Sequence, residues 1–70
     1  MTEIKSPAVG TILELLVDPG DAVTEDQELV IIESMKVEIP VVAPADGKVA
    51  SIAVAADTQV QEDDLLLTLE

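Results

Sequence analysis

The amino-acid sequence contains an internal repeat. When the chain is shifted by 37 positions, residues 2–33 align with residues 39–70 without a gap, and nine of the 32 aligned positions are identical. A chain of this composition would give roughly two or three identities by chance, so we interpret the match as a duplication. Pro7 falls on Pro44 and Gly10 on Gly47, and such residues mark turns of the backbone rather than fill a core. The repeat therefore predicts two similar halves with residues 34–38 between them.

Within each half, short segments typical of strands alternate with turn signals. Residues 18–21 read Asp-Pro-Gly-Asp, which is the order that a type II turn requires, and Asp46-Gly47 is a second turn signal. We expect very short strands at Val23 and Val60. The longer strands, rich in Val, Ile, Leu and Thr, are predicted at residues 2–6, 10–17, 28–33, 37–42, 47–54 and 64–70. This spacing predicts an all-β sandwich or barrel.

One segment also allows a helix. Residues 21–39 contain no Gly or Pro, and Thr24 and Gln27 have the spacing of a capping box. A helix there would place Leu29, Ile32 and Met35 on one face. The repeat favours a strand instead, because the equivalent residues 61–70 end in a leucine-rich run typical of a strand.

The composition excludes most kinds of catalytic site. Seventy residues make one small domain, and we expect residues 1–70 to form it. The chain has no His and no Cys, so its serines lack a histidine base and a zinc site would need carboxylates alone. The acidic pairs do not form the spaced Asp loop that binds calcium. We expect no catalytic residue and no metal site.

The charge predicts the kind of partner. Fifteen acidic and three basic residues give a net charge of −12, which disfavours nucleic acid and anionic membranes and suits a basic protein groove. No apolar run approaches the about 20 residues of a membrane-spanning helix. The first residues lack the basic-then-apolar order of a signal peptide. These features predict a cytoplasmic accessory protein.

Lys36 lies in the joint between the two halves. If a pseudo-twofold axis relates the halves, this joint forms an exposed tip. Met35 and Lys36 are poor residues for a tight hairpin, which favours Asn-Gly or Asp-Gly. An exposed Met also wastes apolar surface unless something docks on it. Most surface lysines have no special role. Residues that disfavour the turn they must form, in a sequence that otherwise agrees with its fold, nevertheless indicate a functional site.

The residues Glu33-Ser34-Met35-Lys36, followed by Val37, resemble the attachment motif of biotinyl domains. In that family Glu-Ala/Ser-Met-Lys-Met stands on a hairpin and the lysine bears biotin. The resemblance covers essentially the whole chain. It implies a flattened β-barrel or sandwich of two four-stranded antiparallel sheets with quasi-twofold symmetry. The short connection at residues 17–23 implies that the thumb insertion of some carrier proteins is absent.

The resemblance also implies a function as a biotin carboxyl carrier. A biotin protein ligase would join biotin to Lys36, with Glu33, Ser34, Met35 and Val37 as flanking recognition residues. A biotin carboxylase would then carboxylate the biotin ring with ATP and bicarbonate. A carboxyltransferase would pass the carboxyl group to an acceptor, most often an acyl-CoA. Lys36 is a tether in this cycle and performs no catalysis.

Two other functions stay open at the level of sequence. Lipoyl domains have the same fold and commonly carry Glu-Thr-Asp-Lys at the hairpin, so Glu33 does not discriminate between the families. Met35 favours biotin, whereas Val37 stands where biotinyl domains usually have Met. The alternatives are therefore a lipoyl carrier of an oxidative complex, with lipoate on Lys36, and an unmodified interaction barrel.

Overall fold

The chain folds into strands and turns without a helix. A computed structural model describes residues 1–70, and no helix is present that could cross a membrane. In chain order the strands are β1 (Thr2–Lys5), β2 (Gly10–Leu15), β3 (Ala22–Val23), β4 (Glu28–Ser34), β5 (Val37–Val42), β6 (Gly47–Ile52), β7 (Gln59–Val60) and β8 (Leu65–Leu69).

All the predicted strands are present, including the two short ones at Val23 and Val60. The main difference is that β2 and β6 each end two residues earlier than predicted. Beyond these strand ends, Val17 is still buried in the core and Val54 still packs against it. Apolar sequence at these positions therefore signals burial rather than continued strand pairing.

The strands form two four-stranded antiparallel sheets with the same internal order. We call β5-β4-β2-β7 the hairpin sheet and β1-β8-β6-β3 the second sheet. A shift of 37 residues converts each strand of one sheet into the strand at the same place in the other. The all-β class and its quasi-twofold arrangement of two sheets are confirmed.

A small aliphatic core lies between the sheets. It contains no aromatic residue, and Ser6 is the only buried polar residue. Ser6 Oγ donates a hydrogen bond to the Ala8 carbonyl over 2.6 Å, so burial leaves it satisfied. The core consists of Ile4, Ile12, Val17, Val23, Leu29, Val30, Ile32, Val41, Ala43, Val49, Val60, Leu66, Leu67 and Leu69.

The alternative helix within residues 21–39 is wrong. The capping-box pair forms an isolated turn instead, in which the Gln27 amide donates to the Thr24 carbonyl over 3.0 Å. The Thr24 amide donates in return to Gln27 Oε1, also over 3.0 Å. Asp26 between them has a φ of 70°, which is incompatible with a right-handed helix. The chain therefore continues directly into β4.

The turn predicted at residues 18–21 is confirmed. The Asp21 amide donates to the Asp18 carbonyl over 3.1 Å, and Gly20 has a φ of 95°. Glycine is favoured there because a side chain at this φ is strained, although no atom lies within 4 Å of where its Cβ would be.

Each sheet contains an irregularity at the same place. Ile12 pairs with Ile32 and Glu14 with Ile31, so Leu13 is the extra residue of a bulge in β2. Ala50 is the equivalent extra residue in β6, between Val49 and Ser51. In β2, Leu13 and Glu14 follow buried Ile12 and both lie on the outer side of the sheet. Ala50 and Ser51 follow buried Val49 in the same way in β6.

Candidate functional site

The joint between β4 and β5 is a two-residue hairpin turn. Ser34 pairs with Val37, and Met35 and Lys36 occupy the two central positions with φ values of 53° and 67°. Positive φ at both central residues defines a type I′ turn, which matches the twist of the flanking strands. The chain therefore makes the tight turn for which these two residues are poorly suited.

The side chains at this tip point into solvent. Met35 is 94% exposed and Val37 is 60% exposed, so neither contributes to the core. Lys36 is also exposed, and it forms no ion pair. The ion pair of the chain joins Lys5 Nζ to Glu3 Oε1 over 3.8 Å on the second sheet. The amine of Lys36 is thus free of partners within its own chain.

Two carboxylates face each other below the turn. Glu33 in β4 lies directly opposite Glu38 in β5, and both are exposed. Because Ser34 and Val37 form the hydrogen-bonded pair that closes the hairpin, the next pair is of the close, non-hydrogen-bonded kind. Like charges directly opposite one another destabilise a sheet. Folding alone does not explain this pair.

The structure brings together all five residues singled out in the sequence. Glu33 and half-buried Ser34 end β4, Met35 and Lys36 form the turn, and Val37 begins β5. The site is therefore one continuous hairpin held by the register of two strands.

A shallow groove beside the hairpin was missed by sequence reasoning. It is bordered by residues 7–11 and 59–62, by Asp64, and by the end of β4 with Met35. Val9 at its rim is 64% exposed. The repeat places Val9 where the second half has Asp46, whose Oδ1 accepts a hydrogen bond from the Glu25 amide over 2.8 Å. The apolar Val9 at a position where the other half has a hydrogen-bonding Asp46 is the sequence feature that could have indicated the groove.

Gly10 allows β2 to pass close to the base of the hairpin. A Cβ at Gly10 would collide with the Glu33 carbonyl oxygen and lie 2.8 Å from Cγ2 of Ile32. Only glycine permits this approach without a backbone shift. β2 therefore packs closely against the end of β4, the strand that leads to Lys36.

An exposed, unpaired lysine at the tip of a stiff hairpin suits covalent attachment of a carboxylic acid through an amide. Comparison with known proteins agrees with this geometry: the family model described as "Biotin-requiring enzyme" matches residues 2–69. The chain belongs to this biotin/lipoyl family. The match extends over both sheets and includes the hairpin.

The relatives of this chain include proteins named as biotin carriers and as carboxylases. The biotin carboxyl carrier protein of Streptococcus mutans is 44% identical over 91% of the chain. The mitochondrial propionyl-CoA carboxylase alpha chain of Homo sapiens is 42% identical over 96% of the chain. The chain spans 49% of the length of the first protein and 9% of the second.

A solved lipoyl domain is also similar. The solution structure of the lipoyl domain of the 2-oxoglutarate dehydrogenase complex from Azotobacter vinelandii superposes with a TM-score of 0.86 and is 36% identical. The superposition covers 100% of this chain and 96% of that domain. The fold is therefore shared by attachment domains for both cofactors.

Proposed function

We propose that residues 1–70 act as a single carrier domain with biotin attached to Lys36. The observation that carries this proposal is the exposed, unpaired amine of Lys36 at the tip of the β4–β5 hairpin, directly after Met35. The domain is the carrier part of a biotin-dependent carboxylase and has no catalytic residue of its own. Repeat halves 2–33 and 39–70 form its scaffold, and residues 34–38 form its attachment hairpin.

The attachment is an amide bond between Lys36 Nζ and the carboxyl group of biotin. A biotin protein ligase would form this bond with ATP as the energy source: the oxygen that the carboxyl group loses leaves with AMP, and pyrophosphate is the other product. The amine must lose its proton to act as a nucleophile. When bound, biotin supplies the ring nitrogen that carries a carboxyl group from one enzyme to the next.

The scaffold keeps the arm available to two enzymes in turn. A flexible arm on a stiff support raises the effective concentration of its end at each active site to which the domain docks. The hairpin is held by six aligned pairs between β4 and β5, so its tip cannot fold back onto the sheets. The partners in this proposal are biotin carboxylase and carboxyltransferase subunits in the cytoplasm.

An acyl-CoA is the proposed carboxyl acceptor. The similarity to propionyl-CoA carboxylase supports this assignment. The net charge of −12 suits docking into basic grooves on the partner subunits. Attraction of this kind accelerates encounter and weakens as salt is added.

Lipoate on Lys36 is the second candidate. The similarity to a lipoyl domain along the full chain favours it, since that domain has the same fold. Met35 is the observation against it, because lipoyl domains commonly carry Asp there. The two candidates therefore differ in which ligase accepts the hairpin.

Intact-mass measurement after co-expression with a biotin ligase, or separately with a lipoyl ligase, tests the proposal. One biotin per chain is expected, with peptide mapping at Lys36 and complete loss of the streptavidin signal in Lys36→Arg. Lys5→Arg and Lys48→Arg are matched controls, because these lysines lie on the second sheet and should not change the label. Label that survives in Lys36→Arg would overturn the assignment of the site.

A further inference from the structure

The outer faces of the two sheets differ in chemistry at equivalent positions. The hairpin sheet exposes apolar side chains between its strands: Pro40 in β5 lies directly opposite Ile31 in β4, which in turn faces Glu14 in β2. Leu13 at the bulge is 38% exposed, and Val42 at the end of β5 is 41% exposed. We call Leu13, Ile31, Pro40 and Val42 the apolar patch.

The second sheet has no such patch. A shift of 37 residues places Ala50, Thr68, Glu3 and Lys5 at the four positions of the apolar patch. Glu3 and Lys5 form the ion pair noted above, and Thr68 is half-buried between strands. The same backbone arrangement therefore tolerates small and polar residues, and the fold does not require apolar ones here.

Charge differs between the two faces as well. The apolar patch is surrounded by the carboxylates of four residues and by no base: Glu14, Glu28, Glu33 and Glu38. The second sheet carries both signs of charge, since Lys5 and Lys48 lie in its strands together with Glu3. An exposed apolar patch surrounded by charged groups of one sign is typical of a protein docking surface.

We propose that the apolar patch is the docking surface for the biotin protein ligase. The complementary ligase surface carries apolar side chains within a ring of Lys and Arg. This inference rests on the proposed function, since the enzyme that acts on Lys36 defines the occupant.

The reach of an unmodified lysine favours the ligase over the enzymes that use the loaded arm. A lysine amine lies only about 6 Å from its own Cα, given ordinary bond lengths. The ligase must therefore contact the hairpin and the strands leading to it. The Pro40–Ile31 pair is three pairs below Ser34–Val37, which is about 10 Å along the strands. A partner seated on Lys36 thus needs to extend only about 10 Å along the strands to reach the apolar patch.

Exchange of three of the four apolar-patch residues for their equivalents on the second sheet, with Pro40 kept, tests the proposal. The variant Leu13→Ala/Ile31→Thr/Val42→Lys places on the hairpin sheet the residues that the second sheet carries at the same positions. Purified biotin ligase should biotinylate it with KM raised at least tenfold and with kcat within twofold of the parent. The matched control is Leu65→Thr, which removes an exposed leucine of equal exposure, 38%, from the second sheet. Its KM should equal that of the parent.

Thermal unfolding of each variant checks that the fold is retained. If the triple variant unfolds, Ile31→Thr alone replaces it, because threonine suits a strand position. A rise in KM of at least threefold is then expected. Glu14→Gln/Glu28→Gln probes the acidic rim separately and should raise KM and weaken its salt dependence.

Several results would overturn the docking proposal while leaving Lys36 as the attachment site. One is an unchanged KM in both the triple and the rim variants, with full labelling of Lys36. Another is a parent that sediments as a dimer and a triple variant that is a monomer with unchanged KM, since the apolar patch would then join two copies of this chain. A parent protein that biotin ligase does not label at Lys36 would instead contradict the proposed function itself.

Discussion

The hairpin tip and the remaining tight turns use positive φ angles in different ways. Five non-glycine residues have positive φ, and three of them are aspartates in separate turns: Asp26, Asp57 and Asp63. The other two are Met35 and Lys36, adjacent to each other at the tip. The aspartates follow local backbone preference, whereas the tip residues oppose it.

Turns at the aspartates are consistent with their sequences. Asp and Asn tolerate the left-handed region better than other side chains do, because their short polar groups can hydrogen-bond locally. Neighbouring side chains close these turns. The Gln61 amide donates to Asp64 Oδ2 over 2.8 Å, and the Ala55 amide donates to Thr58 Oγ1 over 3.3 Å.

At the tip, no comparable support is present. Neither Met35 nor Lys36 takes part in a side-chain hydrogen bond or contributes to the core. A left-handed conformation costs an ordinary L-residue roughly 1–2 kcal/mol. The rest of the hairpin offsets this cost, and backbone strain of this kind is common at functional sites. Folding alone therefore does not explain which side chains stand at the tip.

The largest expected effect concerns Met35→Asp, which gives the tip the residue type of the other turns. Biotinylation by purified biotin ligase should fall by an order of magnitude or more, while lipoylation by lipoyl ligase appears or rises. A flexible thioether can enter an apolar pocket on the ligase. A carboxylate there would lose hydration at a cost of several kcal/mol without a partner.

Stability provides the control for this variant. Because Met35 is 94% exposed, its replacement by Asp should leave the denaturation midpoint unchanged or slightly raised. Biotinylation at the parent rate would mean that the ligases distinguish the two families by another feature of the hairpin.

A medium effect is expected from Met35→Asn/Lys36→Gly, which installs residues preferred in a type I′ turn. The free energy of unfolding should increase by about 1–2 kcal/mol, because positive φ is easier for both new residues. Urea unfolding measures the change, and no biotin should be attached. An unchanged or lowered stability would show that the tip is not strained.

The smallest effect is expected in the turn at residues 18–21. Gly20→Val should lower the free energy of unfolding by about 1 kcal/mol or more, since valine disfavours a φ of 95°. Asp57→Gly, at the equivalent position in the second half, should change stability by less than about 1 kcal/mol. Equal midpoints for Gly20→Val and the parent would contradict the assignment of this turn.

Most of the fold was predictable because the repeat and the turn residues act locally. Prolines, glycines and the Asp46-Gly47 pair mark where strands must end, and the duplicated pattern implies two equivalent sheets. The helix alternative arose because residues 21–39 lack such markers. Asp26 at a φ of 70° is incompatible with a helix, and contacts with the rest of the chain select this conformation among those that an aspartate tolerates. One is the hydrogen bond from its amide to the Ala43 carbonyl, over 2.8 Å.

The hairpin that carries the proposed attachment residue was also predictable, whereas its surroundings were only partly so. Lys36 and its neighbours are contiguous in sequence, so a short motif identifies them. The groove at Val9 and the apolar patch combine residues from separate strands. Their proximity depends on which strands pair and in what register, which a motif does not contain.

The sequence by itself determined the short strands, their turns and the lysine that stands outside the repeat, because these depend on neighbouring residues and on a period of two along each strand. Tertiary structure decided the type I′ conformation of Met35 and Lys36, since the pairing of β4 with β5 imposes positive φ on residues that disfavour it. It also decided that Pro40 and Ile31 share one outer face with Leu13, because strand register and a bulge select the side chains that meet across a sheet.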